Sequence, residues 1–228
     1  MEPFGFPFWG GFFRPKECGY PHLGVRCDDG FTATLVINGI EYILLDVVPE
    51  DKKMGVRRKD YDKGICPKSF LNTSLDLNHF QYGPQTENLA VLYGCKPPKK
   101  RLLSQFRGKI EGVAYDTGYY LEGIVNPTEH QCNTSVVIQG FSLPQILFIG
   151  LREVIQFGFD LNYTLFNDDE VFCKNFEGES SNGTCGFDNR RNKTVCVCPY
   201  GRSEDTVCKY NLPSNSTTEG LCLYLFIN

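Results

Sequence analysis

The distribution of apolar residues along the chain predicts short strands rather than long helices. The clearest signal is a pair of runs rich in β-branched residues, Thr32–Ile37 and Ile40–Val48, joined by Asn38-Gly39. Asn-Gly between two such runs favours a type I′ turn, because both turn residues accept a positive φ at little cost. We therefore expect a β-hairpin here, with 54–60 as a short third strand.

Two later stretches, Asn88–Cys95 and Val136–Ile138, are apolar and short, and each predicts a strand. The polar residues 67–88 contain two prolines and a glycine and predict a loop. Ser142 is placed to cap a short helix, since Pro144 would lie in its first turn. The apolar face of that helix would be formed by Leu147, Leu151 and Val154.

Beyond the helix, apolar and polar residues alternate, which is the pattern of a strand with one buried face. The apolar positions are Ile155, Phe157, Phe159 and Leu161. Together these elements predict a mainly β fold with little helix.

The start of the chain carries a dense aromatic cluster on backbone that cannot be helical, because Pro7, Gly10, Gly11 and Pro15 interrupt it. Such a cluster has to be buried or to bind a ligand. Trp9, the only tryptophan, can stack on the apolar face of a sugar, and Phe12, Phe13 or Tyr20 can extend that platform. The alternative is that Phe6, Phe8 and Trp9 fill a small core beside the segment from Cys18 to Cys27.

The cysteines indicate whether the protein works in an oxidising or a reducing compartment. The chain has 228 residues, of which 41% are apolar, so it can bury a core as one large or two small domains. No Cys-x-x-Cys pair occurs among the 11 cysteines, and the three histidines (His22, His79, His130) give little support for zinc. We expect disulfides, with the pairing open and at least one thiol unpaired. The cysteines are Cys18, Cys27, Cys66, Cys95, Cys132, Cys173, Cys185, Cys196, Cys198, Cys208 and Cys222.

Asn-x-Ser/Thr sequons agree with an extracellular protein that carries glycans on its loops. They begin at Asn72, Asn133, Asn162, Asn182, Asn192 and Asn215. No secretion signal is visible at the N-terminus, and no apolar run reaches the roughly 20 residues of a membrane helix. The expected location is therefore the extracellular side of the plasma membrane, with membrane attachment only through a helix that this sequence lacks.

The charge is uneven along the chain. Residues 1–110 carry 16 basic and 12 acidic residues, a net charge of +4, whereas residues 111–228 carry 7 and 15, a net charge of −8. The first half is therefore expected to be the better partner for a polyanion.

Short motifs resemble a plant receptor family. Pro7-Phe8-Trp9, Arg14-Pro15 and Cys18-Gly19-Tyr20-Pro21 resemble the opening of the galacturonan-binding module of wall-associated receptor kinases, most closely the leaf-rust resistance-locus branch. Phe6 and Tyr20 replace the Tyr and His usual in that pattern.

Later residues resemble the C-terminal module of the same family. Gly158-Phe159-Asp160-Leu161 is similar to its Gly-Phe-x-Leu-x-Trp segment, with Tyr163 in place of the tryptophan, and Cys185-Gly186 with Cys196-Val197-Cys198 is similar to its closing signature. Phe176 stands where relatives have a cysteine. The resemblance thus divides the chain into a galacturonan-binding-like module (5–95), a basic linker (96–112), a cysteine-rich module (113–201) and an uncertain tail (202–228).

The resemblance implies binding of pectin or oligogalacturonides, whose carboxylates call for arginine and lysine side chains. Lys99, Lys100 and Arg101 lie at the exit of the first module. The candidate ligand-binding residues are Trp9, Arg14, Lys16, Tyr20, Arg57, Arg58 and Lys59. The alternative is an ectodomain that binds a peptide, a protein or a co-receptor and has no affinity for polysaccharide.

Enzyme chemistry is not expected. The sequence lacks the glycine-rich loop, the His-Arg-Asp and the Asp-Phe-Gly of the kinase domain that relatives carry, as well as a Gly-x-Ser-x-Gly elbow. Asp168-Asp169-Glu170 lacks the spacing of a calcium loop and predicts a solvated loop. A hydrolase, which needs two carboxylates facing each other across a cleft, is the third interpretation. We expect no cofactor, no metal and no nucleic-acid partner.

Overall fold

The structure is a computed structural model that is mainly β, as the sequence predicts. Its one described α-helix is α1 (Leu151–Phe157). The residues described are 5–10, 16, 19–27, 31–67, 69–96, 105–110, 113–140, 150–165, 184–188, 190–198 and 201–203. The strands are β1 (Trp9–Gly10), β2 (Gly24–Arg26), β3 (Thr34–Ile37), β4 (Ile40–Val48), β5 (Lys53–Arg58), β6 (Phe80–Tyr82), β7 (Glu87–Tyr93), β8 (Gln105–Ile110), β9 (Val113–Glu122), β10 (Thr134–Gly140), β11 (Phe159–Tyr163), β12 (Thr184–Asp188), β13 (Lys193–Cys198) and β14 (Gly201–Ser203).

The chain forms two compact units. The central unit is one continuous stretch, Ile37–Thr164, whereas the terminal unit combines Met1–Val36 with Leu165–Asn228. The division therefore differs from the predicted modules 5–95 and 113–201. The reason is strand pairing across the predicted linker 96–112, which brings early and late strands into the same sheets.

Two sheets in the central unit show this pairing. β11 lies between β5 and β6, antiparallel to both, with Leu161 opposite Met54 on one side and Tyr82 on the other. In a four-stranded sheet of order β10-β7-β9-β8, β7 likewise lies between two later strands. The predicted linker itself contributes β8, so residues 105–110 are strand rather than spacer.

The core of the central unit lies between this four-stranded sheet and α1. Leu89, Val91 and Tyr93 of β7 are fully buried there, together with Val154 of α1. On the other side of β7, Ala90 and Leu92 pack with the disulfide Cys95–Cys132, whose sulfurs are 2.02 Å apart. The predicted crosslinking is thus confirmed at this pair. Its sequence separation of 37 corresponds to about 4 kcal/mol in the chain-entropy account of disulfide stabilisation.

The terminal unit contains two groups of strands. β1 pairs in parallel with β2, and β2 pairs antiparallel with β3. β12, β13 and β14 form an antiparallel meander, in which Cys185 lies opposite Cys196. Cys185 is disulfide-bonded.

The predicted hairpin turn is confirmed, because its residue types specify the backbone conformation. Asn38 and Gly39 have φ of 48° and 79° and lie between β3 and β4, as a type I′ turn requires. The third strand is β5, which ends at Arg58. The predicted loop 67–88 is wrong in part, because it contains β6.

The alternation from Ile155 to Leu161 was also misleading, because Ile155 and Phe157 belong to α1 and only Phe159–Tyr163 is a strand. Gly158 separates the two elements. It has φ of 73°, and a Cβ there would lie 2.1 Å from the carbonyl oxygen of Val56. The predicted cap at Ser142 lies outside the described residues.

Candidate functional site

The aromatic segment at the start of the chain is held by its own backbone and by β2. The amide of Tyr20 donates to the carbonyl of Pro7 at 2.9 Å, and the indole Nε1–H of Trp9 donates to the carbonyl of Tyr20 at 2.6 Å. Trp9 also lies against Gly24, where a Cβ would come within 2.5 Å of the indole ring. The indole is half-buried and hydrogen-bonded, which favours the core alternative over a freely presented sugar platform.

Tyr20 belongs to the core of the terminal unit. It is 1% exposed, and its ring stacks on that of Phe187 with centroids 4.4 Å apart. Phe6 approaches the same ring edge-on at 5.8 Å. A ring buried in this way has no face left for a sugar, so the geometry does not support Tyr20 as a direct ligand contact.

Steric crowding explains why the Cys-Gly-Tyr-Pro motif has a glycine at position 19. A Cβ on Gly19 would lie 2.4 Å from the carbonyl oxygen of Pro7 and 2.9 Å from the backbone of Phe8. The motif that carries the family resemblance is therefore a packing motif around Phe8, which is 2% exposed. Lys16 is exposed, and Arg14 lies outside the described residues.

The basic run Arg57-Arg58-Lys59 is divided by strand geometry. Successive residues of β5 point to opposite faces of the sheet. Arg58 is buried, as are Met54 and Val56, whereas 19% of the Arg57 side chain is exposed. Three neighbouring cations in the sequence therefore do not form one basic patch.

Arg58 is enclosed by hydrogen-bond acceptors. Its side chain is 3% exposed and bonds both oxygens of Asp60, at 3.0 Å from Nε and 2.6 Å from Nη2. Nη1 donates to the carbonyl of Leu71 at 2.6 Å and to Oγ1 of Thr73 at 3.2 Å. The guanidinium also lies over the ring of Tyr61, 5.1 Å from its centroid. Arg58 therefore anchors the segment 71–73 and is not available to a uronate.

The tyrosines around Arg58 are buried in their neutral form. Burial raises the pKa of Tyr42 to about 12, although the charge of Arg58 opposes the shift. Burial also raises the pKa of Tyr61 and of Tyr93, whose hydroxyls are 3.2 Å apart. For Arg58, burial disfavours the charged form, but the hydrogen bonds and charge of Asp60 keep its pKa above the usual value.

The two other cations of this run, Arg57 in β5 and Lys59 just after the strand, are partly exposed and paired with acids. Nη1 of Arg57 contacts Oδ1 of Asp62 at 2.6 Å and also donates to Oε1 of Gln156 on α1. Lys59 lies 3.2 Å from Glu41, with 36% of its side chain exposed. A polyuronate can reach these two cations only in competition with Asp62 and Glu41.

Charge is balanced in the central unit as a whole. Residues 37–164 contain 14 basic and 14 acidic residues, because the 13 basic and 8 acidic residues of 37–110 are balanced by the 1 basic and 6 acidic residues of 111–164. The terminal unit has 9 basic and 13 acidic residues. Neither unit therefore has a net positive charge that would favour a polyanion, and binding of one would depend on individual cations such as Arg57 and Lys59.

One pair of carboxylates stands out on the four-stranded sheet. A hydrogen bond to Glu122 of β9 is the main cause that raises the pKa of Glu87 on β7. Two carboxyl groups in direct contact leave no room for a sugar ring between them, as glycoside hydrolysis requires. Within the described residues, no group of three or more potential metal ligands occurs.

The sequons within the described residues occupy different environments. Asn72, Asn133 and Asn192 are exposed, whereas Asn162 is half-buried in β11, opposite Lys53 on one side and Gln81 on the other. Asn182 and Asn215 lie outside the described residues. Asn192 has φ of 50° in the turn that joins β12 to β13.

Comparison with known proteins identifies a class of homologues, the receptor-like protein kinases. The particular relatives come from Arabidopsis thaliana: leaf rust 10 disease-resistance locus receptor-like protein kinase-like 1.3 is 26% identical over 221 residues, which is 93% of this chain and 30% of the relative. The like 1.4 protein is 28% identical over 210 residues, 88% of this chain and 29% of the relative. The like 2.2 protein is 28% identical over 187 residues, 80% of this chain.

These matches confirm the predicted relationship to the leaf-rust branch. No family model matches the chain, and no solved structure does. The chain spans about a third of the length of these relatives. None of the helices among the described residues is long and apolar enough to cross a membrane.

Proposed function

We propose that the chain is the extracellular ligand-binding region of a receptor-like kinase, or a secreted form of that region. The observation that carries this proposal is similarity to receptor-like kinases along most of the chain. The Cys95–Cys132 disulfide supports an oxidising compartment, where such crosslinks persist.

We further propose that its ligand is an acidic cell-wall polysaccharide of the pectin type. Recognition would be reversible: cations pair with uronate carboxylates, and aromatic side chains pack on the sugar C–H surface. Of the residues predicted for this role, Lys16, Arg57 and Lys59 keep exposed or partly exposed cations, and Trp9 keeps a partly exposed ring. Arg58 and Tyr20 serve the framework instead.

A protein or peptide ligand is the second candidate. The internal pairing of Arg57, Arg58 and Lys59 favours it, because a polyuronate would have to displace Asp62 and Glu41. A partner with mixed charge could instead pair with both members of each ion pair.

Binding of oligogalacturonides to the secreted protein separates the two candidates. We expect affinity that falls steeply between low and high salt, because the contacts are ionic. The double substitution Arg57→Ala and Lys59→Ala should weaken binding at least tenfold. Arg152→Ala, which removes an exposed cation from α1, is the matched control and should leave binding unchanged.

Absence of binding at low salt would exclude the polysaccharide ligand and leave the protein partner. An equal loss of binding in the control variant would show that general charge, rather than these two residues, is responsible. Release of reducing ends from pectin would revive the hydrolase interpretation.

A further inference from the structure

The turn between β12 and β13 concentrates basic residues in a unit that is acidic overall. Arg190, Arg191 and Lys193 lie within four consecutive positions and are all exposed. They are three of the 9 basic residues of the terminal unit, which has 13 acidic residues. Asp188 is the only acidic residue from 188 to 193, so this segment, which we call the basic turn, has a net charge of +2.

Asp188 fixes the backbone of the basic turn. Strand pairing ends with Asp188 opposite Lys193, which leaves 189–192 as the connection between the strands. Oδ1 of Asp188 accepts a hydrogen bond from the amide of Arg190 at 2.9 Å and another from the amide of Arg191 at 3.4 Å. The one carboxylate of the basic turn therefore holds the backbone from which the two arginine side chains extend.

The base of the basic turn is packed into the core of the terminal unit. Phe187, which precedes Asp188, is 2% exposed, and its ring stacks on that of Tyr20. Thr194 lies opposite Phe187 in the strand register and is also buried. A turn on a packed hairpin has less conformational freedom to lose when it binds a ligand. The core contacts of Phe187 thus prepare the cations above it for binding.

The cations of the basic turn differ from those of β5 in their ion pairs. Arg57 and Lys59 each contact a carboxylate of their own unit. Of the ion pairs between described residues, none includes Arg190 or Lys193. A carboxylate ligand therefore has no internal partner to displace at these two side chains. The guanidinium of Arg190 can also bind a carboxylate through two parallel hydrogen bonds.

We propose that the basic turn binds uronate carboxylates of an acidic polysaccharide through Arg190, Arg191 and Lys193. This inference rests on the ligand class given under the proposed function, and it assigns that ligand a contact site in the terminal unit. Asn192 begins a sequon among these cations, and a glycan on it would restrict access to them. The site is therefore open in molecules that carry no glycan at Asn192.

The test measures binding of oligogalacturonides to the whole chain, secreted behind an added signal peptide. Every protein in the series carries Asn192→Gly, which removes the sequon, and glycine accepts the φ of 50° at this position. Adding Arg190→Ala and Lys193→Ala should weaken binding by about tenfold or more at low salt, because two charge-assisted contacts are lost. The matched control adds Lys63→Ala and Arg152→Ala, which remove two exposed cations of the central unit, and should leave binding unchanged.

Two further probes define the chemistry of the ligand. Fully methyl-esterified oligogalacturonides have no carboxylate charge, so the substitutions at Arg190 and Lys193 should not change their binding. Vesicles of phosphatidylcholine with and without phosphatidylserine test an anionic lipid surface instead. If the substitutions abolish vesicle binding and leave oligogalacturonide binding intact, the proposal is overturned in favour of a membrane contact.

Equal affinity of the turn variant and the Asn192→Gly protein for oligogalacturonides would also overturn the proposal. Circular dichroism and the melting temperature establish that each variant is folded. If Arg57→Ala with Lys59→Ala weakens binding and the turn variant does not, only this inference fails and the proposed ligand stands. If the Asn192→Gly protein binds no oligogalacturonide at low salt, the proposed ligand fails, and this inference fails with it.

Discussion

The aromatic opening of the terminal unit and the basic end of β5 in the central unit make an instructive comparison. Each is a run of chemically similar residues that suggests a binding surface. In each, one member is buried and bonded in the core while another keeps partial exposure: Tyr20 against Trp9, and Arg58 against Arg57. Backbone geometry, rather than side-chain chemistry, decides which member supports the fold and which can meet a ligand.

The largest expected loss of stability comes from replacing Arg58, the buried cation of β5. Arg58→Ala removes the partner of Asp60 and the bonds to Leu71 and Thr73, so we expect a loss of about 3–5 kcal/mol in the free energy of unfolding. Arg57→Ala breaks a partly exposed ion pair and should cost about 1 kcal/mol or less. Urea unfolding measures both, and equal losses would contradict the division of roles.

Tyr20 provides the corresponding test in the terminal unit. Tyr20→Ala removes the ring stacked on Phe187 and should destabilise this unit by about 3–5 kcal/mol, as large-to-small core substitutions do. Lys16→Ala, an exposed neighbour in sequence, should stay within about 0.5 kcal/mol of the wild type. Thermal unfolding followed by near-ultraviolet circular dichroism reports on the aromatic packing. A ring that contacted ligand rather than core would instead change affinity and leave stability intact.

The smallest expected effect is on the pH dependence of stability, and it tests whether Tyr42 is buried in the central unit. Tyr42 has a folded-state pKa of about 12, above the value of about 10 in an unfolded chain. Its contribution to stability is therefore complete below pH 10 and is lost as the pH rises from 10 to 12, by up to about 3 kcal/mol. Tyr42→Phe should reduce this alkaline sensitivity in pH-dependent urea unfolding. An unchanged pH profile would show that the hydroxyl is solvated.

Local signals in the sequence were sufficient for several elements. Asn38-Gly39 fixed the turn between β3 and β4, because positive φ at two consecutive residues is a property of residue type. The run of apolar residues at 88–95 correctly indicated β7. The mainly β class followed from such short runs.

Long-range pairing escaped prediction, because it depends on contacts between residues that are distant in the chain. Nothing around Asp160 indicates that β11 lies between β5 and β6, and this insertion is why the compact units do not divide at 96–112. The same limit applies to the site. The sequence groups Arg57 with Arg58, but only the register of β5 shows that Arg58 lies on the buried face.

The contact between Tyr20 and Phe187 also bears on synthesis. Residues 37–164 are synthesised before the second part of the terminal unit. The central unit can therefore fold before Phe187, the partner of Tyr20 in the aromatic segment, has been made. Translation of a transcript that ends after the central unit would therefore give a polypeptide with a folded central unit and an exposed apolar segment at its N-terminus. Quality control of such a chain would act on the first residues synthesised, although the missing residues are the last.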